Sequence, residues 1–336
     1  MRKAILAVLA LLVLSGCQAK PTHTLPRVTA TKPSAAATEG ATGDVDTSPV
    51  HAKISDVAIK GHPFFGLSVV NNITDFNRVG KAVGCYPKSV ALFTSVPLGL
   101  YVEQFESIPG IPFVTIQPWD YKQSSQYYQA NYELQDTIDG KHDNAYHSMA
   151  KAIAEYRQVI LVRLMHEMNG FWYPWGNVGN NTPAQYREAW RHIVRIFRQE
   201  GATNALFVWS PNVVRFLDDK NIAQYYPGDS WVDFAGMVGY GKDEPSAYET
   251  YRETLRRIYD LTDKPIIITE TGSDGTNKPA WIESFGRWLR DNPRVVGFIW
   301  TDKPKGNLAN GNWGMTTDKA SVAAFKKTIK TAGVEC

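Results

Sequence analysis

Two stretches decide the fold: Val159-Ile160-Leu161-Val162-Arg163-Leu164-Met165-His166-Glu167 and Pro265-Ile266-Ile267-Ile268-Thr269-Glu270. Each is an apolar, β-branched run that ends on a carboxylate. Such runs read as strands buried on both faces, the signature of a parallel sheet covered by helices. Working outward, strand-like runs fall at residues 64–70, 89–95, 112–117, 159–166, 205–210, 233–240, 265–270 and 295–301. Helix-period segments lie between them, at 74–84, 142–156, 183–200, 246–261, 279–291 and 319–331. Thr182-Pro183 is a cap residue followed by Pro at a first helical position. The connection around residues 101–105 carries the weakest helical signal. The alternation predicts an α/β fold, a (β/α)8 TIM barrel. An open doubly wound sheet is the alternative, but no Gly-rich phosphate turn follows the first strand.

In a barrel both carboxylates stand at the C-terminal mouth, on strands that face each other. A carboxylate at the end of an apolar strand is costly unless paired or solvated. Two of them across a mouth suit glycoside hydrolysis, in which one acid protonates the leaving oxygen and the other attacks the sugar carbon. The purely structural alternative has each Glu capping a helix or pairing with a Lys. Arg163 and Glu167 lie four apart on one strand, which places them on one face. An Arg there would keep Glu270 ionised. An ion pair of purely structural purpose is the other reading of Arg163. A zinc-protease reading of His166-Glu167 fails, because position 170 is Gly. Among the chemistry-bearing patterns, no phosphate loop, Cys/His cluster or nucleophile elbow occurs, and no cofactor or metal is expected.

The segment Arg163-Leu-Met-His-Glu-Met-Asn-Gly-Phe-Trp-Tyr-Pro-Trp175 resembles the acid/base segment of glycoside hydrolase family 26, whose members are retaining barrel glycosidases. Trp209-Ser210-Pro211-Asn212, Gly239-Tyr240, Thr269-Glu270-Thr271-Gly272 and Trp300 follow in matching order. The resemblance runs from about residue 64 to 334. It implies a retaining, endo-acting hydrolase with Glu167 as proton donor and Glu270 as nucleophile. It also implies sugar contacts by His166, Trp172, Tyr240 and Trp300. Trp119 and Trp175 join them as aromatic candidates, and Arg163 as a charged one. Trp119, Tyr121, Tyr127, Tyr128 and Tyr132 fall in the long connection 118–141, a candidate substrate-binding loop. Packing of these rings onto the barrel is the alternative. Gln117 and Thr301 depart from what mannan-specific relatives carry, so the order of substrates is β-1,4-mannan, mixed-linkage β-1,3/1,4-glucan or xylan, then an exopolysaccharide. A surface glycan-binding protein without catalysis is the reading from another class, and the presence of both carboxylates speaks against it.

Residues 1–63 are different material, without a single aromatic, although the chain has 10 Trp, 16 Tyr and 14 Phe. Arg2 and Lys3 precede an 11-residue apolar run, Ala4 to Leu14, too short to span a bilayer and of signal-peptide length. Leu14-Ser15-Gly16-Cys17 resembles a bacterial lipobox, so residues 1–16 read as a lipoprotein signal and Cys17 as the lipidated residue. Of the 33 residues 18–50, 21 are Pro, Thr, Ala, Ser or Gly, and residues 17–55 read as a disordered tether. The catalytic domain is then 56–336. The expectation is an exported monomer anchored by lipid to the cell envelope, the outer membrane in a Gram-negative cell. With 36 basic against 33 acidic residues and a net charge of +3, nothing points to nucleic acid. Cys85 follows the first helix and Cys336 the last. Barrel closure makes those helices neighbours, so the two cysteines are expected as a disulfide in an oxidising compartment, or otherwise as two free thiols.

Overall fold

The computed structural model describes residues 51–68, 72–123, 127–216, 221–242, 245–303 and 311–336. Eight parallel strands close into a barrel in chain order: β1 Phe64–Ser68, β2 Ser89–Ser95, β3 Ile111–Gln117, β4 Ile160–Leu164, β5 Ala205–Trp209, β6 Phe234–Val238, β7 Ile266–Thr271 and β8 Val295–Thr301. The helices are α1 Asn72–Val83, α2 Val102–Glu106, α3 Leu134–Ile138, α4 Asp143–Tyr156, α5 Pro183–Gln199, α6 Ala247–Leu261, α7 Lys278–Asp291 and α8 Lys319–Ala332. The weak signal near residue 101 is a single short turn, α2. Among the described residues, the connection from β5 to β6 holds three 3-10 turns, Val214–Phe216, Ile222–Tyr225 and Asp229–Trp231. Residues 1–50, with the expected signal and Cys17, lie outside the described residues.

Local chemistry accounts for the helix starts. At α5 the Thr182 hydroxyl accepts from the Gln185 amide at 3.2 Å, and the Gln185 side chain accepts from the Thr182 amide at 2.9 Å, a reciprocal capping box. Asp318 caps α8 by accepting from the Ser321 amide at 2.8 Å.

Period two along the strands sorts the core into two shells. Phe64, Phe113, Leu161, Leu206, Phe234, Ile267 and Ile299 fill the barrel interior. Phe65, Val114, Val162, Phe207, Ile268, Phe298 and Trp300 face the helices. The β1–β8 seam closes by reciprocal size matching. Phe64 pairs with Gly297 and Gly66 with Ile299, and a Cβ on Gly66 would meet Ile299 Cδ1 at 2.2 Å. The entering segment plugs the floor. The Ala52 amide donates to the Thr203 carbonyl at 3.0 Å, and Ile54 and Val57 join the interior shell. Packed structure therefore begins inside the segment 17–55 expected to be tether.

The C-terminus returns to the same floor. The Glu335 amide donates to the Pro63 carbonyl at 3.0 Å, and its carboxylate accepts from Lys88 Nζ at 2.8 Å. Cys85 and Cys336 are joined as a disulfide, with S–S 2.01 Å and Cα–Cα 5.0 Å across 251 residues of sequence. Chain-entropy arguments assign a bond of that span about 2–5 kcal/mol of stability. Because it sits opposite the mouth, Cys85→Ser should lower Tm by several degrees and leave kcat/KM unchanged; thermal unfolding beside a rate measurement checks both.

Candidate active site

Above the interior apolar shell, the inward side chains turn polar: Thr115 on β3, Arg163 on β4, Thr269 on β7 and Ser210 just past β5. Arg163 is fully buried. Its Nε donates to Thr115 Oγ1 at 2.9 Å and its Nη2 to Glu270 Oε1 at 2.6 Å. The guanidinium also lies 5.4 and 5.5 Å from the ring centroids of Phe93 and Phe113, within cation–π range. Glu270 Oε2 accepts from the Tyr240 hydroxyl at 2.9 Å, and that hydroxyl shares a second bond of 2.9 Å with Thr301. Burial and the adjacent Glu270 carboxylate hold the Tyr240 phenol well above its ordinary pKa, so it stays a donor. Thr301, one of the two positions that depart from mannan-specific relatives, therefore holds Tyr240.

Glu167 does not arrive by the period of two anticipated for it. β4 ends at Leu164, two residues before the predicted end at His166, and Met165 and Glu167 take left-handed backbone with φ of 41° and 55°. The Met165 amide still donates to Ile116 on β3 at 3.2 Å, while the Glu167 amide donates to Ser210 at 2.8 Å. Two buried aromatic donors satisfy carbonyls of this turn. Tyr186 O–H binds the Met165 carbonyl at 3.1 Å, and Trp175 N–H binds that of His166 at 2.7 Å. Left-handed backbone at residues with side chains costs about 1–3 kcal/mol each and persists where the surroundings fix it.

The Glu167 carboxyl accepts from Asn212 Nδ2 at 2.7 Å and from Trp172 Nε1 at 2.6 Å. Both bonds favour the charged form. Loss of solvent and the nearby charge of Glu270 outweigh them, and the Glu167 pKa is pushed up to about 7. Asn169 positions Asn212, bonding its amide at 2.8 Å and its carbonyl at 2.9 Å. Asn169 and Asn212 both lie inside motifs quoted above, but nothing in their spacing pointed to these side-chain bonds.

Several expected sugar contacts are corrected. Trp119, Trp175 and Trp300 are 3%, 0% and 0% exposed and offer no face to a sugar. Trp300 points outward from β8 onto Trp281, Phe285 and Phe325. Trp175 stacks on Tyr173 at 4.5 Å, with Trp119 edge-on to both. Trp172 remains partly exposed, but its N–H serves Glu167 rather than a sugar hydroxyl. His166 is buried and kept neutral by burial and by the Arg163 charge; Nε2 bonds the Tyr173 hydroxyl at 3.2 Å and Nδ1 has no partner among the described residues. In the long connection after β3, Tyr132 stacks on His142 and only Tyr127 and Tyr128, among its described aromatics, stand exposed.

The sequence reading did not include Trp313, 4.7 Å from the Tyr240 ring. Its loop is held by Lys278, whose ammonium donates to the carbonyls of Asn312 at 2.6 Å and Gly314 at 3.0 Å. Among the described residues no group of three or more His, Cys, Asp or Glu could hold a metal ion.

A carboxyl of raised pKa and an ion-paired carboxylate at the C-terminal mouth of a (β/α)8 barrel are groups that can serve as acid and nucleophile in glycoside hydrolysis. The sequence profile of glycosyl hydrolase family 26 matches residues 105–277, half of the chain. Endoglucanase H of Acetivibrio thermocellus is 30% identical over 243 residues, 68% of this chain and 25% of that protein. A mannan endo-1,4-beta-mannosidase of Bacillus subtilis is 31% identical over 185 residues, 52% of this chain and 49% of that protein. The chain thus spans a quarter to a half of these relatives. The fold is that of the family 26 β-mannanase of Bacteroides ovatus, with TM-score 0.60, 17% identity, and 82% of this chain and 90% of that one covered. It is also that of the YdhT protein of Bacillus subtilis, with TM-score 0.63, 20% identity and coverage of 83% and 93%. The chain belongs to glycosyl hydrolase family 26.

The raised pKa of Glu167 has a thermodynamic signature. Between pH 4.5, the ordinary value, and about 7, the folded protein keeps a proton that the unfolded chain has released, so this residue makes stability fall as pH rises. Gln cannot release that proton. The stability of Glu167→Gln relative to the wild type should therefore climb through that window by on the order of 1–3 kcal/mol and level off above it, as denaturant titrations at several pH values would show.

Proposed function

We propose that the protein is a retaining endo-acting glycoside hydrolase that cleaves β-1,4-linked mannan by double displacement. The observation that carries this reading is the division of charge: Arg163 pairs with Glu270, and Glu167 is left with the proton. In the first step Glu270 attacks the anomeric carbon while Glu167 protonates the departing oxygen. In the second, Glu167 as a carboxylate takes a proton from water, which attacks the same carbon and releases Glu270. Tyr240 and Arg163 fix the nucleophile, and Asn212 and Trp172 fix the acid. Relatives named mannan endo-1,4-beta-mannosidase support mannan as substrate. The name Endoglucanase H, together with Thr301 and Gln117, supports mixed-linkage glucan as the second candidate.

Product analysis on mannan, lichenan, xylan and laminarin addresses the polymer. Internal cuts in mannan with the first-formed anomer retained by NMR are the expected result; an inverted product would sink the mechanism. The kcat/KM for polysaccharide should fall above pH ~7, as Glu167 loses its proton. Aryl glycosides with good leaving groups need no proton donor and should lack that limb. Glu167→Ala should still form the glycosyl-enzyme from such aryl substrates, with its slowed breakdown accelerated by azide, whereas Glu270→Ala should be inactive on everything. We also propose that the enzyme works as a monomer anchored through lipid on Cys17. The basic start, the apolar run and Leu14-Ser15-Gly16-Cys17 support this, and fatty-acid labelling that disappears in Cys17→Ser is the check.

A further inference from the structure

Lys303 stands two residues past the end of β8 and has no part in the chemistry above. Its ammonium lies 5.9 Å from the ring centroid of Phe93 on β2. β1 separates β8 from β2 in the barrel, so the side chain crosses over the end of β1. The inward positions of β1 at that level are Gly66 and Ser68, small enough to be crossed. Phe93 is also the ring that carries the Arg163 guanidinium at 5.4 Å and the His166 ring at 6.2 Å. Lys303 thus shares one aromatic surface with two residues of the site.

The lysine is held at a cost. Burial pushes its pKa below the ordinary value, and the neighbouring Glu270 carboxylate only partly offsets this. Among the described residues no acceptor bonds the ammonium and no carboxylate forms an ion pair with it. The side chain is only partly exposed, and a partly desolvated ammonium without a protein acceptor gains from a ligand that offers acceptor oxygens. The oxygens of sugar hydroxyls are such acceptors. Geometry fixes which sugar. Glu270 attacks from the side opposite the leaving group, and Glu167 stands on the β4 side of the mouth. A side chain reaching from β8 toward β2, beside Glu270, meets the sugar under attack rather than the departing one.

We propose that Lys303 is a specificity-determining residue that donates to a hydroxyl oxygen of the sugar attacked by Glu270. This rests on the retaining-hydrolase reading above. The test uses dinitrophenyl β-mannobioside and β-cellobioside, which place sugars only on the attacked side, with the full chain and its Lys303→Met and Lys303→Arg variants. Met keeps an apolar stem on Phe93 and removes the charge; Arg restores it. On the better of the two substrates, Lys303→Met should lose about tenfold or more in kcat/KM, the value of a charge-assisted hydrogen bond, with Arg recovering most of it. Tm should stay put. A Met variant within about twofold of wild type overturns the contact. A loss that Arg does not recover overturns it too, since a charged donor at this position would then not be what the sugar meets. A wild type inactive on both substrates and on the polysaccharide panel overturns the hydrolase reading itself, and this role with it.

Discussion

One guanidinium serves two carboxyls at the mouth of this barrel, and that imbalance organises the site. Burial first, and the charge of Glu270 second, raise the Glu167 pKa to about 7, while the arginine pairs with Glu270. Arg163 bonds Glu270 and leaves Glu167 with hydrogen bonds only from the neutral donors Asn212 and Trp172. Burial and the Glu270 charge then hold the carboxyl that the arginine does not pair at a raised pKa. The surrounding architecture keeps that choice fixed. Thr115 lies beside Arg163 in the β3–β4 register and holds Nε, and the two phenylalanine faces confine the guanidinium plane. Removing one partner of a buried pair typically costs 3–5 kcal/mol, because the other charge is left uncompensated.

The acid is placed by a different device. An ideal continuation of β4 would send alternate side chains to opposite faces, whereas the turn at residues 165–167 departs from that rule. Its backbone polar groups bind β3, the β5 end and two aromatic donors. This gives the buried aromatics a purpose other than sugar binding. Trp175, packed with Trp119 and Tyr173, is a rigid mount for the chain on which Glu167 sits. Rigidity of this kind matters because a catalytic carboxyl misplaced by an ångström loses much of its effect.

The strands were legible because β-branched runs ending in turn residues have few other readings. β2 and β8 match their sequence-based bounds, and β4 runs shorter than predicted because its backbone changes hand after Leu164. The two carboxylates were legible for the same reason: a charge at the end of an apolar run requires a partner. Aromatic roles were not. Composition counts rings but not their direction, and Trp300 alternates outward from Ile299, a relation that the inward Gly297 and Ile299 positions already contained. Trp119 and Trp175 lie in irregular segments where no period applies. Lys278 and Lys303 left no signal, since a lysine beyond a strand or at a helix start is ordinarily a solvated charge.

The bond between Cys85 and Cys336 turns most of the barrel into a covalent ring. The mouth loops that follow β2 through β8 all lie inside it, and such exposed loops are where proteases cut first. A single cut in any of them opens the ring without releasing a fragment. The nicked chain keeps both ends tethered at the floor, where Lys88, Glu335 and the β1–β8 seam hold the closure. Proteolytic wear would thus collect at the mouth as broken peptide bonds, visible only after reduction, while the barrel stays in one piece.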